Sequence, residues 1–121
     1  MAGVQSLRVR RGDVWSVDLD PTVANEQRGT RPCLVISSDR FNLLPIRQAF
    51  VVPLTTRDRG FPHHIALQDD GGLNRPSWAM CEAARAVSTQ RFGRYIGTAT
   101  IACVDRVAWQ LSTWLGGSAV S

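Results

Sequence analysis

Two short polar segments hold the residue types that could do chemistry on a charged polymer. The first is Asn25-Glu26-Gln27-Arg28, followed by Arg31 directly before the apolar run Pro32-Cys33-Leu34-Val35-Ile36. The second is Thr55-Thr56-Arg57-Asp58-Arg59-Gly60, directly after the segment Gln48 to Leu54. A guanidinium held at the mouth of a rigid strand suits bidentate binding of a phosphate or carboxylate. Glu26 can pair with Arg28 or Arg31 and aim it. Asn25 and Gln27 carry both donors and acceptors, which lets them read base edges in single-stranded RNA. His63-His64 adds imidazole, which titrates near neutrality and can move protons. Adjacent residues on a strand point to opposite faces, so at most one of the two can face such a site. The plainer alternatives are a polar hairpin with a surface ion pair, and a solvated histidine pair after Pro62.

Those side chains need strands to hold them. Trp15, Val17 and Leu19 alternate with Ser16 and Asp18, the period of a half-buried strand that Pro21 stops. Pro32 to Ser37 is short and continuously apolar, as a central strand is, and proline is tolerated at its start. Ser38-Asp39 can cap a short helical turn reaching Leu44. Gln48 to Leu54 is a third strand, in which Pro53 implies an edge or a bulge. If the second and third strands are antiparallel neighbours, Arg31 and Thr55 meet at one end of the sheet. His64 to Leu67 is a short strand, and Asp70-Gly71-Gly72 is a turn signal. Residues 77–87 favour a helix by propensity, and a strand is also possible; pattern alone does not settle which. Ile101, Val104, Val107, Ala108, Leu111, Trp114 and Leu115 form one apolar helical stripe, with Thr100 as N-cap and Gly116-Gly117 ending it. Several short strands plus one late helix suggest a strongly bent antiparallel barrel with a terminal helix.

Composition sets outer bounds. The 121 residues make one domain, 1–121, with residues 1–9 expected to form a loose tail. All 14 basic side chains are arginine, and the net charge of +4 favours a polyanionic partner. An arginine bias arising from genome base composition is the plain alternative. No apolar run approaches the length of a membrane helix, and the start has no apolar leader core, so a soluble cytoplasmic protein is expected. Cys33, Cys81 and Cys103 are widely spaced, contain no CxxC pair and read as small buried hydrophobes, so a zinc site is not expected. Trp78, Trp109 and Trp114 read as core or interface residues rather than base-stacking platforms.

An ordered series of motifs resembles the MazF/PemK toxins. It runs through Arg11-Gly12-Asp13-Val14-Trp15, Asp18-Leu19-Asp20-Pro21, Glu26-Gln27-Arg28-Gly29-Thr30-Arg31-Pro32-Cys33 and Ser38-Asp39-Arg40-Phe41-Asn42. It continues through Val52-Pro53-Leu54-Thr55-Thr56, Gly72-Leu73, Ser77, Cys81-Glu82, Arg85-Ala86-Val87-Ser88 and Arg91. The resemblance implies a mainly β (α+β), SH3-like, CcdB/PemK-type barrel with short helices and a C-terminal helix, usually a homodimer. It implies a type II toxin that cuts single-stranded RNA without metal or cofactor, leaving a 2′,3′-cyclic phosphate and a 5′-hydroxyl. It implies a MazE-like antitoxin partner whose acidic C-terminal tail covers the RNA site. The family's catalytic arginine falls on Arg31 and its catalytic threonine or serine on Thr55. Asn25, Glu26, Gln27, Arg28, Thr56, Arg57, Glu82 and Arg85 make up the expected RNA-binding set. The resemblance also makes residues 79–87 a strand.

Two positions depart from the family pattern: Ala24 replaces a usual glycine, and Ala83 a usual glutamine. Both bear on sequence specificity rather than on the reaction. Two rival functions keep the same fold. One is a CcdB-like gyrase poison acting through the end of the terminal helix; the other is a barrel that binds RNA and cuts nothing.

Overall fold

The computed structural model describes residues 8–19, 29–67 and 71–117. Among the described residues seven strands and two helices follow one another: β1 (Asp13–Leu19), β2 (Gly29–Val35), α1 (Asp39–Asn42), β3 (Gln48–Thr55), β4 (His64–Ala66), β5 (Trp78–Met80), β6 (Arg85–Ser88), β7 (Phe92–Thr98) and α2 (Ile101–Trp114). The sheet order is β4-β5-β3-β2-β1-β7, with β6 also pairing β3, and every pair is antiparallel. Short 3₁₀ turns at Cys81–Ala83 and Thr89–Arg91 bend the chain between β5, β6 and β7.

The strands carry apolar side chains on both faces, and the faces feed two cores. Val14, Leu34, Val52 and Leu54 pack with Cys103, Val104 and Val107 of α2. Trp15, Val17, Leu19, Cys33, Val35 and Val51 form the other cluster with Val87 and Phe92. This is why β1 departs from strict alternation: Val14 is as buried as Val17, because α2 covers its face. The Arg-Gly-Asp-Val-Trp motif closes the entry to β1. The buried Asp13 carboxylate accepts from Arg10 N at 2.9 Å and from Trp15 Nε1 at 3.0 Å. Gly12, at φ +94°, donates its N–H to Val35 O at 2.8 Å, a conformation that favours glycine.

Four expectations are corrected. Pro53 is neither at an edge nor at a bulge. It lies in β3 opposite Cys33, and on the other side of β3 the ladder to β6 runs over residues 48–51 and the ladder to β5 over residues 54–55. The missing N–H therefore falls where β3 passes from one partner to the next. Residues 79–87 are not one strand, since the 3₁₀ turn Cys81–Ala83 divides β5 from β6 and lets β3 pair with each. The buried stripe of α2 is narrower than its sequence pattern: Cys103, Val104 and Val107 are buried, whereas Ile101 is 79% and Leu115 86% exposed. The expected tail gives way before Val9, which is buried in the second cluster. The capping expectations hold: Ser38 Oγ accepts from Phe41 N and Thr100 Oγ1 from Cys103 N, each at 3.2 Å.

Candidate nucleic-acid cleavage site

Arg31 lies in β2, opposite Val17 of β1 and two residues before β2 starts to pair with β3 at Cys33↔Pro53. Continuing that antiparallel register sets Arg31 across from Thr55, the last residue of β3. The side chain confirms the approach, since Arg31 Nη1 donates to Leu54 O at 3.2 Å. One end of the guanidinium is thus fixed to the backbone beside Thr55. Its buried Nε has no hydrogen-bond partner among the described residues. A guanidinium carries five N–H donors in a planar fork that matches a phosphate or carboxylate.

Thr55 is buried and its Oγ1 accepts from Arg57 N at 3.1 Å. A hydroxyl that accepts in this way still has its proton to donate. The same bond turns the chain out of β3, leaving Thr56 and Arg57 exposed at its end. Thr55 is also held from the other side, where it pairs with Trp78 of β5.

Arg85 is half-buried, opposite Val51 of β3. It and Arg31 act on one buried group, the Cys33 thiol. Burial pushes that thiol up to about 12, and the two positive charges offset only part of the rise. Cys33 is therefore a neutral hydrophobe between two arginines and not a nucleophile. Burial likewise pushes the Cys81 thiol up to about 12, with the neighbouring Glu82 charge adding to the rise.

Asn25, Glu26, Gln27 and Arg28 lie outside the described residues, so the expected first loop has no geometry here. Glu82 is placed differently from the rest of the expected set. Its carboxylate is engaged by both imidazoles, His64 Nε2 at 3.0 Å and His63 Nε2 at 3.3 Å. The expectation that only one histidine could face a common site is corrected here. His63 sits in the turn before β4, closed by His64 N–H donating to Phe61 O at 3.1 Å, so strand alternation does not separate the pair. The donor atoms of His63, His64 and Glu82 all lie within 4.8 Å of one another, a grouping that could hold a metal ion. No sequence spacing announced this trio, because 18 residues separate His64 from Glu82 and only the β4–β5 ladder joins them.

A cavity of about 640 Å³ lies apart from this pair, lined by Arg8, Arg10, Asp39, Leu43 and Arg47 among others; neither Arg31 nor Thr55 lines it.

Comparison with known proteins agrees on one family. The profile of the PemK-like, MazF-like toxins of type II toxin–antitoxin systems matches residues 10–115. The chain is 35% identical over 100 residues to endoribonuclease MazF9 of Mycobacterium tuberculosis, covering 78% of this chain and 85% of that protein. It is 33% identical over 114 residues to endoribonuclease PemK of Escherichia coli, covering 88% of this chain and 82% of that one. Among solved structures, MazF of Deinococcus radiodurans superposes with a TM-score of 0.79 at 22% identity, over 92% of this chain and 99% of that one. At that identity the superposition establishes the fold: a mainly antiparallel sheet with short helices and a C-terminal helix.

Proposed function

The chain belongs to the MazF/PemK family of type II toxin–antitoxin endoribonucleases, and from that premise we propose that it cleaves single-stranded RNA at Arg31 and Thr55 without a metal, leaving a 2′,3′-cyclic phosphate and a 5′-hydroxyl. The observation that carries the assignment is the anchored guanidinium beside Thr55: Arg31 Nη1 on Leu54 O at 3.2 Å, with Nε buried and without a partner among the described residues.

In-line attack by a 2′-hydroxyl on the adjacent phosphorus, its proton passing to solvent, breaks the bond to the 5′-oxygen of the next nucleotide, which takes up a proton and leaves as the 5′-hydroxyl. Negative charge builds on the non-bridging oxygens, and a preorganised cation there lowers the barrier. Arg31 supplies that cation. Arginine is a poor base, so its role is charge stabilisation, with a proton available to the leaving oxygen. The Thr55 hydroxyl donates to the phosphate or orients the 2′-hydroxyl. Thr56, Arg57 and Arg85 would bind the flanking backbone, and Asn25, Glu26, Gln27 and Arg28, which lie outside the described residues, are assigned the same role. Glu82, turned to the histidines, is left out of the RNA contacts.

The same positive edge suits an acidic peptide. Solved relatives include a MazE–MazF assembly from Deinococcus radiodurans and a mycobacterial endoribonuclease in complex with its cognate antitoxin. By analogy, a MazE-like antitoxin with an acidic tail would compete with RNA for the arginines. A homodimer is part of the same proposal.

The test is incubation of the purified protein with a long single-stranded RNA in excess EDTA, beside Arg31→Ala and Thr55→Ala. Cutting at one short motif by the parent protein, lost in both variants, supports the assignment. Equal cutting by either variant removes that residue from the site.

A further inference from the structure

His63, His64 and Glu82 belong to no step of the RNA reaction above. Their geometry points to a second site, and we infer that these three side chains bind one divalent transition-metal ion, Zn²⁺ by preference, at the junction of β4 and the Cys81–Ala83 turn.

Two imidazole nitrogens and one carboxylate are an established ligand set for zinc with a fourth, open position. His64 Nε2 lies 3.0 Å from both Glu82 oxygens, and His63 Nε2 lies 3.3 Å from Oε1. Ligands about 2.0–2.1 Å from a tetrahedral zinc stand roughly 3.4 Å apart along each edge, so an ion would spread the two imidazole–carboxylate edges by a few tenths of an ångström, within a trio whose donor atoms already lie within 4.8 Å of one another. The backbone supplies the convergence. The turn ending in His64 aims two neighbouring rings the same way, and the β4–β5 register sets His64 opposite Met80, two residues before Glu82.

The surroundings are graded as a partly open site needs. The His64 side chain is 2% exposed, that of His63 28% and that of Glu82 41%, so the floor is dry and one side admits water as the fourth ligand. Rings enclose the rest. Phe61 stacks on His63 with centroids 5.3 Å apart, and Trp114 of α2 also packs against His63, with centroids 5.4 Å apart. An ion here would tie three parts of the chain: the turn that follows the basic 56–60 loop, the Cys81–Ala83 turn and, through Trp114, the end of α2.

One detail sets the expected strength. His64 Nδ1 is buried without a partner among the described residues, so no outer hydrogen bond fixes the tautomer a metal needs. Such outer partners are commonly worth 10–100-fold in affinity, so binding should be micromolar rather than nanomolar. The absence of CxxC pairs bears only on cysteine sites and leaves this donor set untouched.

The test uses tag-free protein stripped with EDTA, titrated with Zn²⁺ in a calorimeter and with Co²⁺ in a spectrophotometer. The proposal expects one equivalent per chain and the visible bands of tetrahedral Co²⁺. It also expects a melting temperature that rises with Zn²⁺. Glu82→Gln, which keeps the shape, and His63→Ala, at a half-buried position, should each lose the bands and weaken Zn²⁺ by tenfold or more. Their melting curves in EDTA report folding separately. No stoichiometric binding to the parent protein, or binding that survives both substitutions, would show the trio to be a hydrogen-bonded cluster only and overturn the proposal.

Discussion

Replacing Arg31 by alanine should separate activity from stability. Two opposing contributions to stability meet at this side chain. The bond from Nη1 to Leu54 O, at 3.2 Å, is a charge-assisted hydrogen bond, worth about 1.5–3 kcal/mol. The buried Nε, without a partner among the described residues, costs about 1–3 kcal/mol, and alanine removes that cost as well. The two nearly cancel, so the net change should stay within about 1 kcal/mol, or roughly 4 °C in melting temperature for a chain of this size. No such cancellation protects the reaction. A lost transition-state donor costs roughly 100–1,000-fold in rate, or about 2.7–4 kcal/mol. The assay pairs urea unfolding with single-turnover cleavage of a short RNA carrying the recognised motif. A drop of several kcal/mol in stability would show that Arg31 is a structural cation and that its unmet donor is not poised for a ligand. Retained cleavage would refute the reasoning from the other side.

Three further outcomes follow from the packing. Leu34→Ala, at a fully buried position in the α2-facing cluster, should cost about 2–5 kcal/mol in urea unfolding, with the slope unchanged. Gly72→Ala should destabilise by more than about 1 kcal/mol, because its φ is +75° and the new Cβ would fall 2.4 Å from Ile96 O; a thermal melt no lower than the parent's would contradict the placement of that turn against β7. Cys33 and Cys81 are both raised from 9.0 to about 12 in the folded chain, so the thiols favour the folded state fully below about pH 9, and that contribution fades as pH rises toward 12. A urea-midpoint series across that window should fall with pH, and fall less when both cysteines are replaced by alanine.

What could be read from the residues depended on whether the controlling contact was local. The Ser38 and Thr100 caps involve partners three residues away, and both form as the sequence implies. The meeting of Arg31 with the end of β3 needed only one assumption, antiparallel pairing of two consecutive strands, and that pairing exists. The failures lie where a distant element decides. Val14 sits at a position that alternation would expose, but α2 arrives from some 90 residues later and buries it. Ile101 and Leu115 fit the helical stripe by spacing, yet they lie at the two ends of α2, beyond the sheet surface that could cover them. Pro53 suggested an edge because a proline argues against a central strand. The exchange of β6 for β5 beside it is a tertiary arrangement that propensity does not contain. The convergence of His63 and His64 on Glu82 was hidden for the same reason, since a turn of the backbone, and not strand geometry, directs His63.

The account stands on a 2′-hydroxyl attack stabilised by Arg31, and the chemistry of the cut ends tests it most directly. The measurement is end-mapping of the fragments formed in EDTA, from an RNA with its recognised motif intact and from the same RNA with a single 2′-deoxynucleotide on the 5′ side of the cut. The account predicts a 2′,3′-cyclic phosphate and a 5′-hydroxyl from the first, and no cleavage of the second. A 3′-hydroxyl with a 5′-phosphate, or cutting that ignores the missing 2′-hydroxyl, would mean that water is the nucleophile and would contradict the mechanism assigned to this site.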